Sequence, residues 1–401
     1  MLVSGFLVLL LVALVGFLRF GGGNRDAWAD AMRKHLAEEG RGFNAMGPVV
    51  EALDRIDWEA LEDHQAAMEA ATRSGWKESP ELAEVLRVHQ PVVVLIGRSA
   101  ALPNASFPSL LEYEADRPLP RFDRLHLLAL LLTTNARAVE AEGSPAEAVQ
   151  RLVELATLGS RFARPAGEAS FAGHGLSITM IESAVGLAGE IVRSQPMDPA
   201  TLERLERQLG LLEQQYQPLR SAAYDELDLL THLVRNRAGS PEEFAVILQY
   251  YDTKLTRPEA RKRAADRFGL VASLPGELER LRAGLDADLA APFPKRALRS
   301  EADIAAASTN PLVTLALAPL PALAIRETIM LTRLRLVRQL CLVKMGLEPL
   351  PVLQDPFTGE PLAYDGERII SAGPDGRIDG APYQPVGARF DVPGDLMLAV
   401  R

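Results

Sequence analysis

The chain has 401 residues, enough for one large core or for two or three units of ordinary size. Hydrophobic residues make up 48% and charged residues 24%, which excludes a long disordered protein. The net charge of −10 leaves nothing general to neutralise a phosphate backbone, so nucleic acid is not an expected partner; the single cysteine, Cys341, excludes an intramolecular disulfide and a cysteine-based zinc site.

Residues 1–20 read as a transmembrane anchor. Leu2 to Leu18 carry no charge and are closed by Arg19. At about 1.5 Å per residue the run spans roughly 25 Å, and Phe20 with a snorkelling Arg19 extends it to the hydrocarbon thickness. No Lys or Arg precedes it and no Ala-x-Ala directly adjoins it, the first standing at Ala27-Trp28-Ala29, which favours an uncleaved anchor over a cleaved signal peptide. The expected lipid contact is therefore residues 2–18, with a Gly-rich joint at 21–24. Arg19, Arg25, Arg33 and Lys34 follow the run, and the positive-inside rule alone would place the body in the cytoplasm.

Residues 25–310 carry the punctuation of an α-helical body. Ser144-Pro-Ala-Glu147 and Ser240-Pro-Glu-Glu243 predict capping boxes with proline at the first helical position. Ser79-Pro80 and Asp198-Pro199 predict simpler starts. Leu202, Leu205, Leu209, Leu212 and Tyr216 step by three and four, as do Leu125, Leu128, Leu132, Ala136 and Val139. Segments 122–142 with 145–164, and 172–195 with 199–216, predict antiparallel helix hairpins. No firm repeat period emerges, so the body is expected to be an irregular multi-helix bundle.

Residues 311–347 form a second apolar helical segment. Pro319 and Pro321 break its first half, while Arg326, Glu327, Arg333, Arg335 and Arg338 load its second. A buried core helix, with its arginines solvated or paired to acids, fits better than another span. Cys341 sits in its apolar part and reads as a small buried side chain.

Signatures of catalysis are missing. There is no His-Glu-x-x-His, no Gly-x-Ser-x-Gly elbow and no phosphate-binding Gly-Lys-Ser/Thr loop. Ala172-Gly-His-Gly-Leu lacks the full dinucleotide fingerprint. Asp228 with His232, and the cluster Glu59, Glu62, Asp63 and His64, read as helix-face electrostatics rather than metal ligands. These absences point away from an enzyme.

Residues 348–401 are a small β/turn tail. Pro361–Tyr364 and Arg368–Ser371 predict two strands around an Asp365-Gly366 hairpin signal, Gly373-Pro-Asp-Gly376 a type I turn, and Leu396–Val400 a third strand. So small a sheet needs the preceding apolar helix to pack on.

Asp355-Pro-Phe-Thr-Gly-Glu-Pro-Leu-Ala-Tyr, followed by Ser371-Ala-Gly-Pro-Asp-Gly-Arg-Ile-Asp-Gly, resembles the C-terminal segment of the type II secretion major pseudopilins. That family reads Asp-Pro-Trp-Gly-x-Pro-Tyr-x-Tyr, then a strand, then Ser-x-Gly-x-Asp-Gly. The remainder is similar to bacterial single-pass membrane proteins with a helical body. The resemblance covers about 30 residues and implies an extracytoplasmic setting and a calcium-binding loop. Asp375 and Asp379 would supply carboxylates, with Asp355, Asp391 and Asp395 as further oxygens if the chain folds back. An EF-hand register starting at Asp375 fails at Arg377 and Val386, and a turn without an ion remains the alternative. Gly5-Phe6 matches a prepilin leader, but Leu10 stands where that family has Glu, so pilus incorporation is not carried over.

The expectation is thus a membrane-anchored, non-enzymatic binding, scaffolding or assembly protein beside a secretion or pilus-like apparatus. Its partners would be lipid and other proteins, with its body on the extracytoplasmic side. The rival is a membrane-tethered helical enzyme with a carboxylate/His metal site.

Overall fold

The computed structural model describes residues 27–39, 44–77, 79–106, 122–163, 171–252, 255–385, 390 and 392–400. The expected anchor at 1–20, the joint at 21–24 and Asp391 lie outside the described residues. What is described is mostly helical, with one small antiparallel sheet.

The first helices are α1 (Ala27–Glu39), α2 (Met46–Arg55), α3 (Trp58–Asp63), α4 (Gln65–Ser74), α5 (Pro80–Val88) and α6 (Gln90–Ala101). Two helix hairpins follow, at the expected positions. They are α7 (Phe122–Ala141) with α8 (Pro145–Phe162), and α9 (Phe171–Ser194) with α10 (Pro199–Gln215). Then come α11 (Leu219–Arg237), α12 (Pro241–Tyr251), α13 (Arg257–Arg263), α14 (Arg267–Ala290) and α15 (Glu301–Ala307). The apolar segment forms α16 (Pro311–Leu317) and α17 (Leu320–Lys344), divided at the expected prolines.

Helix starts obey short-range chemistry. Ser79, Asp198 and Ser240 accept the N–H groups of Leu82, Thr201 and Glu243, each with proline at the next position. Ser144 departs from the expected box. Its hydroxyl makes no capping bond, and Glu147 pairs with Arg151 at 2.6 Å instead. The reason is local: Ser144 N–H donates to Val139 O and closes the glycine-ended terminus of α7, where Gly143 has φ +84°. One residue cannot serve both helix ends with the same backbone. Thr256, outside the two expected boxes, donates both its N–H and its hydroxyl to Glu259.

Both predicted stripes face inward, from Leu125 to Val139 on α7 and from Leu202 to Tyr216 on α10. Fully burying each such leucine contributes about 1.5–3 kcal/mol. The central helices α7 to α10 and α17 pack closely because glycines sit at their crossings. A Cβ on Gly159 of α8 would lie 2.9 Å from the Met180 Cβ of α9, and one on Gly189 of α9 would lie 2.8 Å from Val337 Cγ2 of α17. The 24-residue α9 and the 34-residue stretch Pro311–Lys344 are long and apolar enough to cross a membrane. In each, 72% of the apolar stretch is covered by the rest of the chain, the burial also found in a core helix.

The arginines of α17 are paired. Arg326 and Arg333 meet Glu182 of α9; Arg335 meets Glu213 of α10; and Arg338 reaches Glu206 and Glu213 at 2.6 Å each. These pairs are partly buried and shared, which makes them worth more than isolated surface pairs.

The C-terminal sheet has the order β1 (Ala363–Tyr364), β2 (Arg368–Ser371), β3 (Leu396–Ala399), antiparallel throughout. The hairpin centres one residue later than expected. Asp365 N–H donates to Arg368 O, leaving Gly366 (φ +94°) and Glu367 at the tip. The Asp365 carboxylate accepts the N–H groups of Glu367 and Arg368, so that side chain closes the turn rather than forming its centre.

Candidate functional site

The tail module is fastened to α17 by backbone-level bonds as well as by apolar packing. Gln339 donates to Pro351 O and accepts from Leu353 N–H, and Arg335 donates to Gln354 O. Phe357 is fully buried and meets Phe293 edge-on, with ring centroids 6.0 Å apart. Leu398 of β3 reaches the Gly189–Val337 crossing, so the sheet packs against the helix that precedes it, as expected.

Within the module the expected aspartates divide into two sets. Asp355 holds the first loop: its carboxylate accepts from Phe357 N–H (3.0 Å), the Ser371 hydroxyl (2.8 Å) and Ala372 N–H (2.9 Å). With those three donors it is a framework residue. Asp375, Asp379 and Asp395 form the other set, in the glycine turns. The expected turn at residues 373–376 closes, with Gly376 N–H donating to Gly373 O at 3.1 Å. Asp375 then accepts from Arg377 N–H, and Asp379 from Ala381 N–H at 2.8 Å.

Asp395 is the unusual member. It is 1% exposed, and its Oδ2 accepts from Gly380 N–H (2.7 Å) and Asp379 N–H (3.2 Å), while its Oδ1 is buried with no hydrogen-bond partner. Burial, with the neighbouring Asp379 and Asp375 carboxylates adding to it, holds its carboxyl above the usual range. An acceptor atom left bare inside a fold costs about 1–3 kcal/mol, so it is a place where a cation or proton is favoured. Among the described residues no three His, Cys, Asp or Glu side chains converge to hold a metal ion. Asp375, Asp379 and Asp395 are accordingly not one converged group, and a calcium ion here would need turn carbonyls beside the Asp395 Oδ1.

A second polar centre lies deep in the helices. His174 Nε2 is 3.2 Å from Glu327 Oε1 and 3.0 Å from the Tyr216 hydroxyl, and Leu219 N–H donates to the same Glu327 oxygen at 2.8 Å. The role of Nε2 in these two contacts follows the ring tautomer, and Nδ1 is buried without a partner. Burial and then Glu327 hold the Tyr216 phenol well above its ordinary range. Chemically this is a pin joining α9, the α10–α11 corner and α17, closed on every side. Ala172-Gly-His-Gly is simply the opening turn of α9 around it.

The remaining candidates are placed apart. Asp228 pairs with Arg282 of α14, while His232 meets Asn236 at 2.9 Å, so the two expected neighbours take separate partners. His64 Nδ1 contacts Ala60 O on its own helix. Cys341 is buried, and desolvation pushes its thiol up to about 12, so it is no nucleophile. Glu327 and Tyr216 were not legible as a site, because their pairing joins positions more than a hundred residues apart. The only hint was a glutamate inside an apolar run.

Compared with protein families, curated proteins and solved structures, the chain matches none.

Proposed function

We propose that this is a membrane-anchored, non-enzymatic binding, scaffolding or assembly protein. Residues 2–18 hold it in the bilayer, and the C-terminal module, stabilised by calcium at Asp375, Asp379 and Asp395, is presented to protein partners beside a secretion or pilus-like apparatus. The reading is carried by the buried, unpartnered Oδ1 of Asp395, whose carboxyl feels the charges of Asp379 and Asp375. It is supported by the module's attachment to α17, through which a partner bound at the tail would load the whole body. The pseudopilin-like wording of the tail favours an extracytoplasmic body over the cytoplasmic one that the basic flank suggests.

Thermal melting of the full chain with calcium and with chelator tests the ion. Calcium should raise the melting temperature, and Asp379→Ala or Asp395→Asn should abolish the rise. Melting that ignores the chelator removes calcium from the proposal. Protease treatment of intact spheroplasts tests sidedness, and full protection of the body would overturn the extracytoplasmic placement.

A further inference from the structure

One surface of the body has a charge opposite to that of the chain as a whole. From Thr256 to Phe268 the sequence carries Arg257, Arg261, Lys262, Arg263 and Arg267 against Glu259 and Asp266, in a protein of net charge −10. Glu259 is engaged by Thr256. Arg257, Arg261 and Lys262 are exposed and form no ion pair among the described residues, and Arg263 reaches Asp252 only at 3.9 Å. Next to these cations, Phe268 is 69% exposed, the most exposed large hydrophobic side chain among the described residues. The Arg267 guanidinium stands 4.2 Å from the centre of its ring.

We propose that this strip, the exposed side of α13 and the start of α14, docks on an anionic lipid surface. Several unpaired cations around one exposed aromatic ring suit the headgroup region, where the ring enters the interface and the cations meet lipid phosphates. The shape agrees. Ala265, Gly269 and Ala272, exposed beside Phe268, are small and leave the ring prominent on this helix. An acidic protein would call for a shaped apolar centre with a polar rim, and this strip has a single ring among exposed cationic side chains. The inference rests on the anchoring by residues 2–18 proposed above, which keeps a bilayer within reach of the body.

The test uses the full chain with Phe268→Cys, labelled with an environment-sensitive fluorophore. Buried Cys341, its thiol pushed up to about 12, does not compete for label. Leu211→Cys, at a position 48% exposed on α10, is the reference site. The protein is reconstituted in vesicles of neutral phosphatidylcholine, or of that lipid mixed with phosphatidylglycerol, and alkaline extraction establishes whether it is integrated. The label at 268 should brighten severalfold and shift to shorter wavelength only in anionic vesicles, while the label at 211 stays unchanged. Combining it with Arg257→Glu, Arg261→Glu and Lys262→Glu should abolish the response. Retention after alkaline extraction with an unchanged 268 signal overturns the docking surface and leaves the anchor standing. Release by alkali overturns the anchor and the inference together. An equal response to soluble polyglutamate in neutral vesicles would assign the strip to an acidic protein and overturn the lipid assignment.

Discussion

Helices α14 and α17 are nearly equal in length, 24 and 25 residues, yet they occupy opposite environments. Helix α17 is enclosed on almost all sides, and its charged residues find partners on α9 and α10. Helix α14 buries one narrow stripe, Leu274, Leu278, Leu281 and Leu285 with Glu277, and leaves Phe268 in solvent. Number of charges does not separate them, since both are rich in arginine. What differs is the setting of the acids: those facing α17 are partly buried and shared between arginines, whereas Arg282 of α14 meets the single exposed Asp228 of α11 and Arg280 meets Glu277 of its own helix. A guanidinium met by a shared carboxylate can be enclosed, whereas one without a partner must stay hydrated.

The comparison can be broken or sharpened by substitution. The largest effect is expected for Glu327→Ala, which takes a partner from His174 and the acceptor from Leu219 N–H inside the central helices; it should cost about 3 kcal/mol or more. Glu327→Gln, which keeps an acceptor, should cost less. A melting temperature equal to wild type for Glu327→Ala would remove the central pin. Acidification should also act at the centre. Burial lowers His126 of α7 from 6.5 to about 4. Between these values the unfolded chain binds the proton and the folded chain does not, so stability falls as pH drops through that window. The loss reaches about 3 kcal/mol by pH 4. Denaturant titrations at pH 7 and pH 4 should show it, and His126→Gln should flatten the difference.

A matched pair of substitutions gives a smaller contrast. Glu213→Ala removes the acid shared by Arg335 and Arg338 of α17, leaving Arg338 on Glu206 and Arg335 on Gln354 O, and should cost about 1–2 kcal/mol. Asp228→Ala removes the acid opposite Arg282 of α14 and should cost under about 0.5 kcal/mol, since both partners are well exposed. Equal costs would erase the distinction between the two helices. Smallest of all, Phe268→Ser should leave stability within about 0.5 kcal/mol, as expected for a ring packed on little.

Much of the architecture was legible because it is encoded locally. The hairpins α7–α8 and α9–α10 follow from proline starts and stripes of period 3.6, and the proline break before α17 from two residues. The tail strands follow from glycine and aspartate turns. What escaped were relations between distant segments. Nothing local reveals that Glu213 sits opposite Arg335, or that Asp395 returns to the turn containing Asp379. The Ser144 box misled because its reading ignored the helix just ended. For the candidate site, Asp375 and Asp379 could be named from acid-and-glycine composition. The distinctive atom, Asp395 Oδ1, is defined by burial, which emerges only when three lengths of chain meet.

That meeting point has a mechanical character. A Cβ on Gly373 would lie 2.0 Å from Gly394 O, and one on Gly394 would lie 2.9 Å from Tyr383 Cα, so bare backbone touches bare backbone with no side chain between to act as a cushion. Tyr383 N–H also donates to Asp395 O at 2.8 Å. The turn with the acids and strand β3 are therefore joined by direct backbone contact. A pull that slides β3 along α17 moves the Asp395 carboxylate with it, so force on the sheet and charge at the turn are coupled like the two arms of a lever.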